Sequence, residues 1–267
     1  MIELGYARTP YGQIHYAESG RGDPVLLLHQ TPRSWDEYRE VLPLLGRTHR
    51  AIAMDTLGFG ASARIATHTV EAYAAGVLAL MDALGLEAVA LAGHHTGGVV
   101  AIETAARAPE RVTRLVLSST PLLDAEARER RRGRPRVDHV TEGEDGSHLT
   151  ELWAGRADFY PPHRPDLLNR FLRDALAVWP DVGHGHQAVA AYRMEDRLGL
   201  VRCPVLCVSG RHDPFAFPEL APLAARLKAA TAVIDQGMVP LEFQAAEFAR
   251  VVAAFLAGGP GTVRDHG

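Results

Sequence analysis

Short runs of consecutive apolar residues alternate, in the first half of the chain, with stretches whose apolar residues recur at helical spacing. The short runs predict strands buried on both faces of a sheet, and they cover residues 25–28, 51–54, 88–92 and 114–118. The periodic stretches predict amphipathic helices over residues 35–45, 73–84 and from Thr96 onward, the first opened by a capping box at Ser34 and Glu37. This alternation predicts the α/β class, with a mostly parallel sheet, right-handed crossovers and flanking helices.

The alternation is interrupted between about residues 121 and 197, where helical stretches are separated by proline-rich joints. It then resumes with predicted strands and helices at 205–208, 219–228, 232–234 and 241–255. We therefore expect an α/β core formed by residues 1–120 and 198–257, with residues 121–197 as an inserted helical cap over one end of the sheet. The glycine-rich residues 258–267 predict a flexible tail.

Composition narrows the partners and the location that we expect. The 267 residues are 47% hydrophobic and 22% charged, which is ordinary for a globular domain, and the net charge of −4 creates no general attraction to nucleic acid or anionic lipid. There is no secretory pattern and no apolar run of about 18 residues, so we expect no membrane span. Cys203 and Cys207 lie too far apart on a predicted strand to form a disulfide, which favours a cytoplasmic protein. Its expected partner is a small-molecule substrate.

Residues 93–97, Gly-His-His-Thr-Gly, lie between a predicted strand and a helix rich in small residues. A glycine on each side of a central residue is typical of the nucleophile elbow, G-x-S-x-G, whose tight turn lifts one side chain above the end of the sheet. The central residue is often strained, with a positive φ, a region in which histidine is enriched among non-glycine residues. His95 is therefore the predicted functional side chain of this turn.

Three further segments agree in order and spacing with one known superfamily. Residues 28–32, Leu-His-Gln-Thr-Pro, resemble an H-G-x-P oxyanion motif in which Gln30 replaces glycine. Residues 55–62 match the pattern D-x-x-G-x-G-x-S, and residues 209–214 match a loop that carries a catalytic acid, here Asp213. Over about residues 6–256 the chain is similar to the α/β-hydrolase superfamily, and most similar to its epoxide hydrolases and haloalkane dehalogenases. The resemblance implies an α/β-hydrolase fold with a helical cap, and an enzyme that needs no cofactor or metal.

The chain departs from the superfamily at two positions of the catalytic triad. The resemblance implies aspartate, serine or cysteine where His95 stands, and a histidine before the last helix, where alignment on a proline and a glutamate places Gly237. Gln236 is an alternative for that vacated position, and the only histidine after Asp213 is His266 in the predicted tail. Acyl transfer of the serine type is therefore not expected.

The loss of one histidine and the gain of another lead to a single hypothesis. The His95 ring fills the space beside Asp213 and bonds its carboxylate, so that the two residues form a general-base dyad. The resemblance implies that the backbone N–H groups of Thr31 and Thr96 form an oxyanion hole, to which Gln30 adds a side-chain donor or which it narrows. Such a site suits hydrolysis by activated water, and also elimination or isomerisation by proton abstraction.

Two other functions stay open at this point. One alternative is an inactive relative of these enzymes that binds a ligand. The other is a metal site, in which His184 and His186 join His95 and Asp213 as ligands. Four residues of the cap are candidates for the pocket wall, or else only pack the cap onto the core: Tyr160, Trp179, His186 and Tyr192. Neither the spacing nor the composition predicts an oligomeric state.

Overall fold

A computed structural model describes residues 1–131, 138–180, 182–234 and 240–258 of the chain. Eight strands of the described residues form one sheet, in the spatial order β1-β2-β4-β3-β5-β6-β7-β8. Their bounds are β1 Glu3–Thr9, β2 Gly12–Ser19, β3 Pro24–Leu28, β4 Arg50–Met54, β5 Val89–His94, β6 Val112–Ser118, β7 Val205–Gly210 and β8 Ala230–Ile234. The first two strands form an antiparallel hairpin, and β2 pairs antiparallel with β4. All other pairs are parallel, which confirms the predicted class.

Helices cover both faces of this sheet. Their bounds are α1 Leu42–Leu45, α2 Val70–Ala83, α3 Thr96–Arg107, α4 Ala125–Arg131, α5 Ser147–Ala157, α6 Pro165–Ala177, α7 His184–Ala191, α8 Leu220–Leu227, α9 Pro240–Phe243 and α10 Ala245–Leu256. Side chains alternate along a strand, so the sheet separates two buried clusters, one containing Leu26 and Leu28 and the other Val25 and Leu27. None of the described helices is long and apolar enough to cross a membrane.

The register of the parallel strands brings the loops of the sequence motifs to one edge. Leu28, the last residue of β3, lies opposite Met54 at the end of β4 and Gly93 near the end of β5. Ser118 at the end of β6 lies opposite His94 and Val208. The loops that follow β3, β5 and β7 therefore emerge side by side, as the carboxyl ends of parallel strands do.

Between β6 and β7 the described residues form α4 to α7 and no strand. This agrees with the helical stretches predicted there, while the division into core and cap stays a prediction. Of the predicted tail, residues 258–267, only Gly258 is described.

The predicted helix over residues 35–45 is wrong in detail. The structure has a short 3-10 helix, Trp35–Tyr38, followed by the separate helix α1. Ser34 caps the 3-10 helix, accepting from the Asp36 N–H, but Glu37 does not complete the predicted capping box. Its carboxylate is completely buried and accepts hydrogen bonds from Gln30 instead. A capping pattern describes only local chain geometry, and here a tertiary partner takes the glutamate.

Candidate active site

His95 lies on the tight turn between β5 and α3, as the sequence predicted. Its backbone has φ +45° and ψ −112°, a strained conformation for any residue with a side chain. Gly93 and Gly97 are required on either side because a Cβ at the first would overlap the backbone of Gly97, and a Cβ at the second the backbone of Leu28. The His95 N–H donates to the carbonyl of Ser118 on β6, 2.9 Å away, which ties the turn to the neighbouring strand.

The His95 ring contacts Asp213, on the loop that follows β7. Nε2 of the ring lies 3.0 Å from Oδ2 of the carboxylate. The distance is that of a hydrogen bond, but the ring N–H is not aligned with Oδ2, which has no well-aligned hydrogen-bond donor within the described ranges. Oδ1 is held by the N–H groups of Phe215 and Ala216, each 2.9 Å away. The pair is therefore an electrostatic contact between the imidazole ring and a carboxylate that backbone N–H groups hold in place.

Asp213 is ionised at neutral pH. Burial by itself would raise the pKa of its carboxyl group, but the His95 ring and the N–H groups of Ala216 and Phe215 outweigh burial and lower the pKa to about 2. The Asp213 side chain has no exposed surface, whereas the His95 side chain remains 17% exposed. A solvent-accessible imidazole thus rests on a permanently charged, buried carboxylate.

The neighbouring His94 plays a different part. Its ring is completely buried, meets the His95 ring edge-on at 4.6 Å between centroids, and lies 3.0 Å from the Ser118 hydroxyl through Nδ1. Burial, followed by the nearby His95, lowers the pKa of His94 well below its usual value. His94 is therefore a neutral packing partner of the turn.

The two residues predicted to form the oxyanion hole lie next to each other. The hydroxyls of Thr31, on the loop after β3, and Thr96, the first residue of α3, are 3.1 Å apart. Within the described residues, the backbone N–H of neither threonine donates a hydrogen bond. Gln30 directs its backbone N–H and its side-chain amide at the carboxylate of Glu37, and its predicted part in the oxyanion hole stays a prediction.

The four candidates from the predicted cap have separate surroundings. Tyr160 accepts a long hydrogen bond of 3.4 Å from Arg33, beside the Thr31 loop. His186 Nε2 lies 3.0 Å from Asp138, and the residue before it, Gly185, is so close to Thr31 that a Cβ there would overlap the threonine side chain. The structure thus brings α7 and Tyr160 to the loop after β3.

The other two candidates have partners elsewhere. Tyr192 donates to Glu103 on α3 over 2.7 Å, and Trp179 packs against His148 and donates weakly to Glu142. Their assignment to the pocket stays a prediction. The vacated position, Gly237, and its alternative Gln236 lie outside the described residues.

Sequence reasoning missed a buried charged cluster next to the Thr31 loop. Arg33 is completely buried, and its guanidinium reaches Asp174 of α6 over 3.0 Å and Glu242 of α9 over 2.9 Å. It also lies 3.8 Å from Glu37. Charged residues after a proline look like surface residues in a sequence. The only signal was Gln30, a long polar side chain that needs a partner where the superfamily has glycine.

Among the residues that the structure describes, no three His, Cys, Asp or Glu side chains lie close enough together to hold a metal ion. His186, one of the candidate ligands, is paired with Asp138, which also binds Arg156.

Comparison with known proteins agrees with this geometry. The profile of the alpha/beta hydrolase fold family matches residues 23–237. The chain belongs to the α/β-hydrolase fold family.

Several relatives of this α/β-hydrolase chain are named as hydrolases of small organic molecules. One is the 2-hydroxy-6-oxo-2,4-heptadienoate hydrolase of Pseudomonas putida, 40% identical over 103 residues, which are 37% of each chain. Another is the soluble epoxide hydrolase of a Corynebacterium strain, 37% identical over 106 residues, which are 39% of this chain and 37% of the relative. The matched segment thus spans just over a third of each of these two relatives.

Solved structures resemble the chain over almost its whole length. The enol-lactonase of Burkholderia xenovorans has a TM-score of 0.78 and 22% identity, and the match covers 95% of this chain and all of that one. A hydrolase of Pseudomonas aeruginosa has the same TM-score with 25% identity, covering 95% and 98% of the two chains. The first of these similarities concerns the fold alone.

Proposed function

We propose that this chain is a cofactor-independent enzyme that acts on a small organic molecule, with His95 and Asp213 as a general-base dyad. The observation that carries the proposal is the 3.0 Å separation of His95 Nε2 and Asp213 Oδ2. In this proposal the imidazole takes the elbow position at which relatives with a nucleophile carry serine, cysteine or aspartate. Activity as a hydrolase is the first expectation, since several relatives are named as hydrolases.

The position of the carboxylate determines which ring nitrogen can act. Asp213 faces Nε2, so the neutral ring carries its proton there and its lone pair on Nδ1. Nδ1 takes a proton from water, the water oxygen adds to the electrophilic carbon, and the proton then passes to the leaving group. The same nitrogen can instead take a proton from carbon next to a carbonyl, which gives a lyase or an isomerase.

Charge that develops on the substrate oxygen needs donors on the other side of the reacting carbon. The backbone N–H groups of Thr31 and Thr96 are proposed for this role, because their side chains are adjacent and both N–H groups lack an acceptor among the described residues. Removal of one such donor typically costs about 10²–10³ in kcat.

We further propose that residues 121–197 form the cap that covers this site. Three contacts support it: Gly185 of α7 packs on Thr31, Asp174 of α6 binds Arg33, and Tyr160 accepts from Arg33. Each joins the segment between β6 and β7 to the loop that follows β3. A pocket enclosed in this way would suit a small substrate.

A substrate panel with four variants tests the dyad. Esters, enol lactones, epoxides, haloalkanes and oxo-dienoic acids are offered to the unaltered chain and to His95→Ala, His95→Gln and Asp213→Asn. His139→Gln, which changes an exposed histidine, is the control. We expect product only from the unaltered chain and the control, and no covalent adduct in the intact mass of the protein during turnover. Undiminished turnover by His95→Ala would refute the dyad.

The inactive, ligand-binding alternative has its own outcome in the same panel. If no compound is turned over but one raises the melting temperature, and His95→Ala abolishes that shift, the site binds ligands without catalysis. Product analysis by mass spectrometry separates a hydrolase, which adds water, from an isomerase, which does not change the mass.

A further inference from the structure

Hydrogen bonds hold both the backbone and the side chain of Gln30 in place. Its backbone N–H donates to Oε2 of Glu37 over 2.8 Å, and its side-chain Nε2 donates to Oε1 of the same carboxylate over 2.5 Å. Its carbonyl accepts from the Arg33 N–H at 3.0 Å and lies 2.7 Å from Nδ1 of the His29 ring. The backbone N–H, the carbonyl and the side-chain amide nitrogen of Gln30 are thus all engaged, immediately before Thr31.

Glu37 is itself fixed to the core. It lies on the short 3-10 helix Trp35–Tyr38, which starts where the Trp35 N–H donates to Asp55 over 2.7 Å. The next residue, Tyr38, donates to the carbonyl of Leu28 at the end of β3, 3.0 Å away. The carboxylate is therefore a rigid anchor, completely buried, that faces the loop after β3.

We propose that Glu37 is a positioning residue of the oxyanion hole: it grips Gln30 through both carboxylate oxygens and so aims the N–H of Thr31. This role rests on the proposed function of Thr31. It also explains why glutamine is tolerated where the superfamily motif has glycine, since the longer side chain supplies the second half of a two-point clamp. Substrate does not touch Glu37, which acts through the loop.

The clamp contains a titratable group in the physiological range. Burial raises the pKa of Glu37, attraction by Arg33 opposes this, nearby Glu242 adds to it, and the N–H donors of Gln30 oppose it, with a resulting pKa of about 7. Tyr38 and Tyr160 also lie close enough to interact with this charge. An ionised carboxylate accepts both Gln30 donors strongly, whereas protonation removes the negative charge and weakens the bonds that the carboxyl group accepts. The clamp therefore tightens as the pH rises through about 7.

Hydrogen exchange tests the clamp without any substrate. Backbone exchange of a peptide covering residues 28–34 is measured by mass spectrometry in the unaltered chain, in Glu37→Gln and in Glu40→Gln. Glu40 is the matched control, a nearby carboxylate that binds Arg170 and does not contact Gln30. We expect Glu37→Gln to exchange about tenfold faster in this peptide, because hydrogen bonds to a charged acceptor are lost, and the control to match the unaltered chain.

The pH dependence separates positioning from general loss of structure. Protection of this peptide, corrected for the intrinsic pH dependence of exchange, should rise with a midpoint near pH 7 in the unaltered chain and in Glu40→Gln, but not in Glu37→Gln. Equal protection of all three proteins at every pH would overturn the proposal. If Glu37→Gln does not fold, Gln30→Met removes the side-chain donor of the clamp and should lower the protection of this peptide above pH 7.

The hydrogen-exchange result does not depend on whether His95 and Asp213 act as a catalytic dyad. If His95→Ala leaves turnover intact while the exchange results are as expected, the catalytic proposal fails and the clamp stands. If a substrate is found, Glu37→Gln should lower kcat about tenfold with little change in KM, since a misplaced oxyanion donor weakens only the transition state. A rise in KM with unchanged kcat would contradict a positioning role.

Discussion

Two aspartate–histidine pairs of this chain have almost the same separation but very different surroundings. His15 Nδ1 lies 2.9 Å from Asp55 Oδ2, and His95 Nε2 lies 3.0 Å from Asp213 Oδ2. In the first pair Asp55 also accepts from the N–H groups of Trp35 and Ala61, so both oxygens are occupied. His15 belongs to the regular strand β2.

The second pair combines features that the first lacks. His95 has a positive φ, its ring is partly exposed, and its contact with Oδ2 is poorly aligned. Strain and incomplete hydrogen bonding persist only where the surrounding structure imposes them, and they are concentrated at functional sites. An Asp–His distance alone therefore does not distinguish a structural pair from a candidate dyad, whereas backbone strain and exposure do.

The largest expected difference between the pairs is in turnover. His95→Gln and Asp213→Asn should each lower kcat by about 10²–10⁴, the usual contribution of a general base, with little change in melting temperature. The measurement is steady-state kinetics on a substrate found in the panel, and His15→Gln is the comparison variant. If His15→Gln lowered kcat as much, the distinction between the pairs would be wrong.

The stability of the fold should depend more on the Asp55–His15 pair than on the Asp213–His95 pair. Asp55→Ala removes the acceptor of the Trp35 N–H, the Ala61 N–H and the His15 ring, and so breaks the contacts that join three segments of the chain. We expect a loss of at least about 3 kcal/mol in the free energy of unfolding, from donors left without partners. Urea denaturation followed by circular dichroism measures it. Asp213→Ala serves as the counterpart and should cost less, because one of its oxygens is already poorly bonded.

A buried carboxyl group outside both pairs should give the chain an unusual pH dependence. The pKa of Glu37 is raised from 4.5 to about 7, so the folded state retains a proton that the unfolded state has lost. Stability therefore falls as the pH rises through this window, by about 3 kcal/mol from this group alone. Glu242, whose pKa is also raised, adds a fall of the same sign.

Denaturation series at pH 5 and pH 8 for the unaltered chain and for Glu37→Gln measure the contribution of Glu37 to this pH dependence. The variant should show a markedly smaller fall between the two pH values. An equal fall in both proteins would mean that Glu37 does not titrate in this window.

The smallest expected effect is the release of backbone strain. His95→Gly should stabilise the chain by about 1 kcal/mol, because glycine adopts φ +45° without steric cost. His15→Gly, in a strand, should instead destabilise it. The melting temperatures of the two variants show whether each change stabilises or destabilises the chain. Destabilisation by His95→Gly would argue against strain at the turn.

Some elements were predictable from the sequence and others were not. Strands β3 to β8 were predicted from short runs of consecutive apolar residues. The hairpin of β1 and β2 was not, because polar residues and glycine separate the apolar residues of both strands. The capping pattern at Ser34 and Glu37 correctly marked the start of a helical turn. It misled about Glu37, since a local motif carries no information about a partner seven residues earlier in a loop.

The sequence by itself determined the α/β class and the position of His95 on the turn after β5, because hydrophobic periodicity and glycine spacing act over a few residues. It also singled out Asp213. Only the tertiary structure decided which carboxylate oxygen faces the imidazole, that Glu37 grips Gln30, and that Arg33 is buried among carboxylates. Those arrangements join loops that are distant along the chain, and their geometry depends on how the parallel strands align.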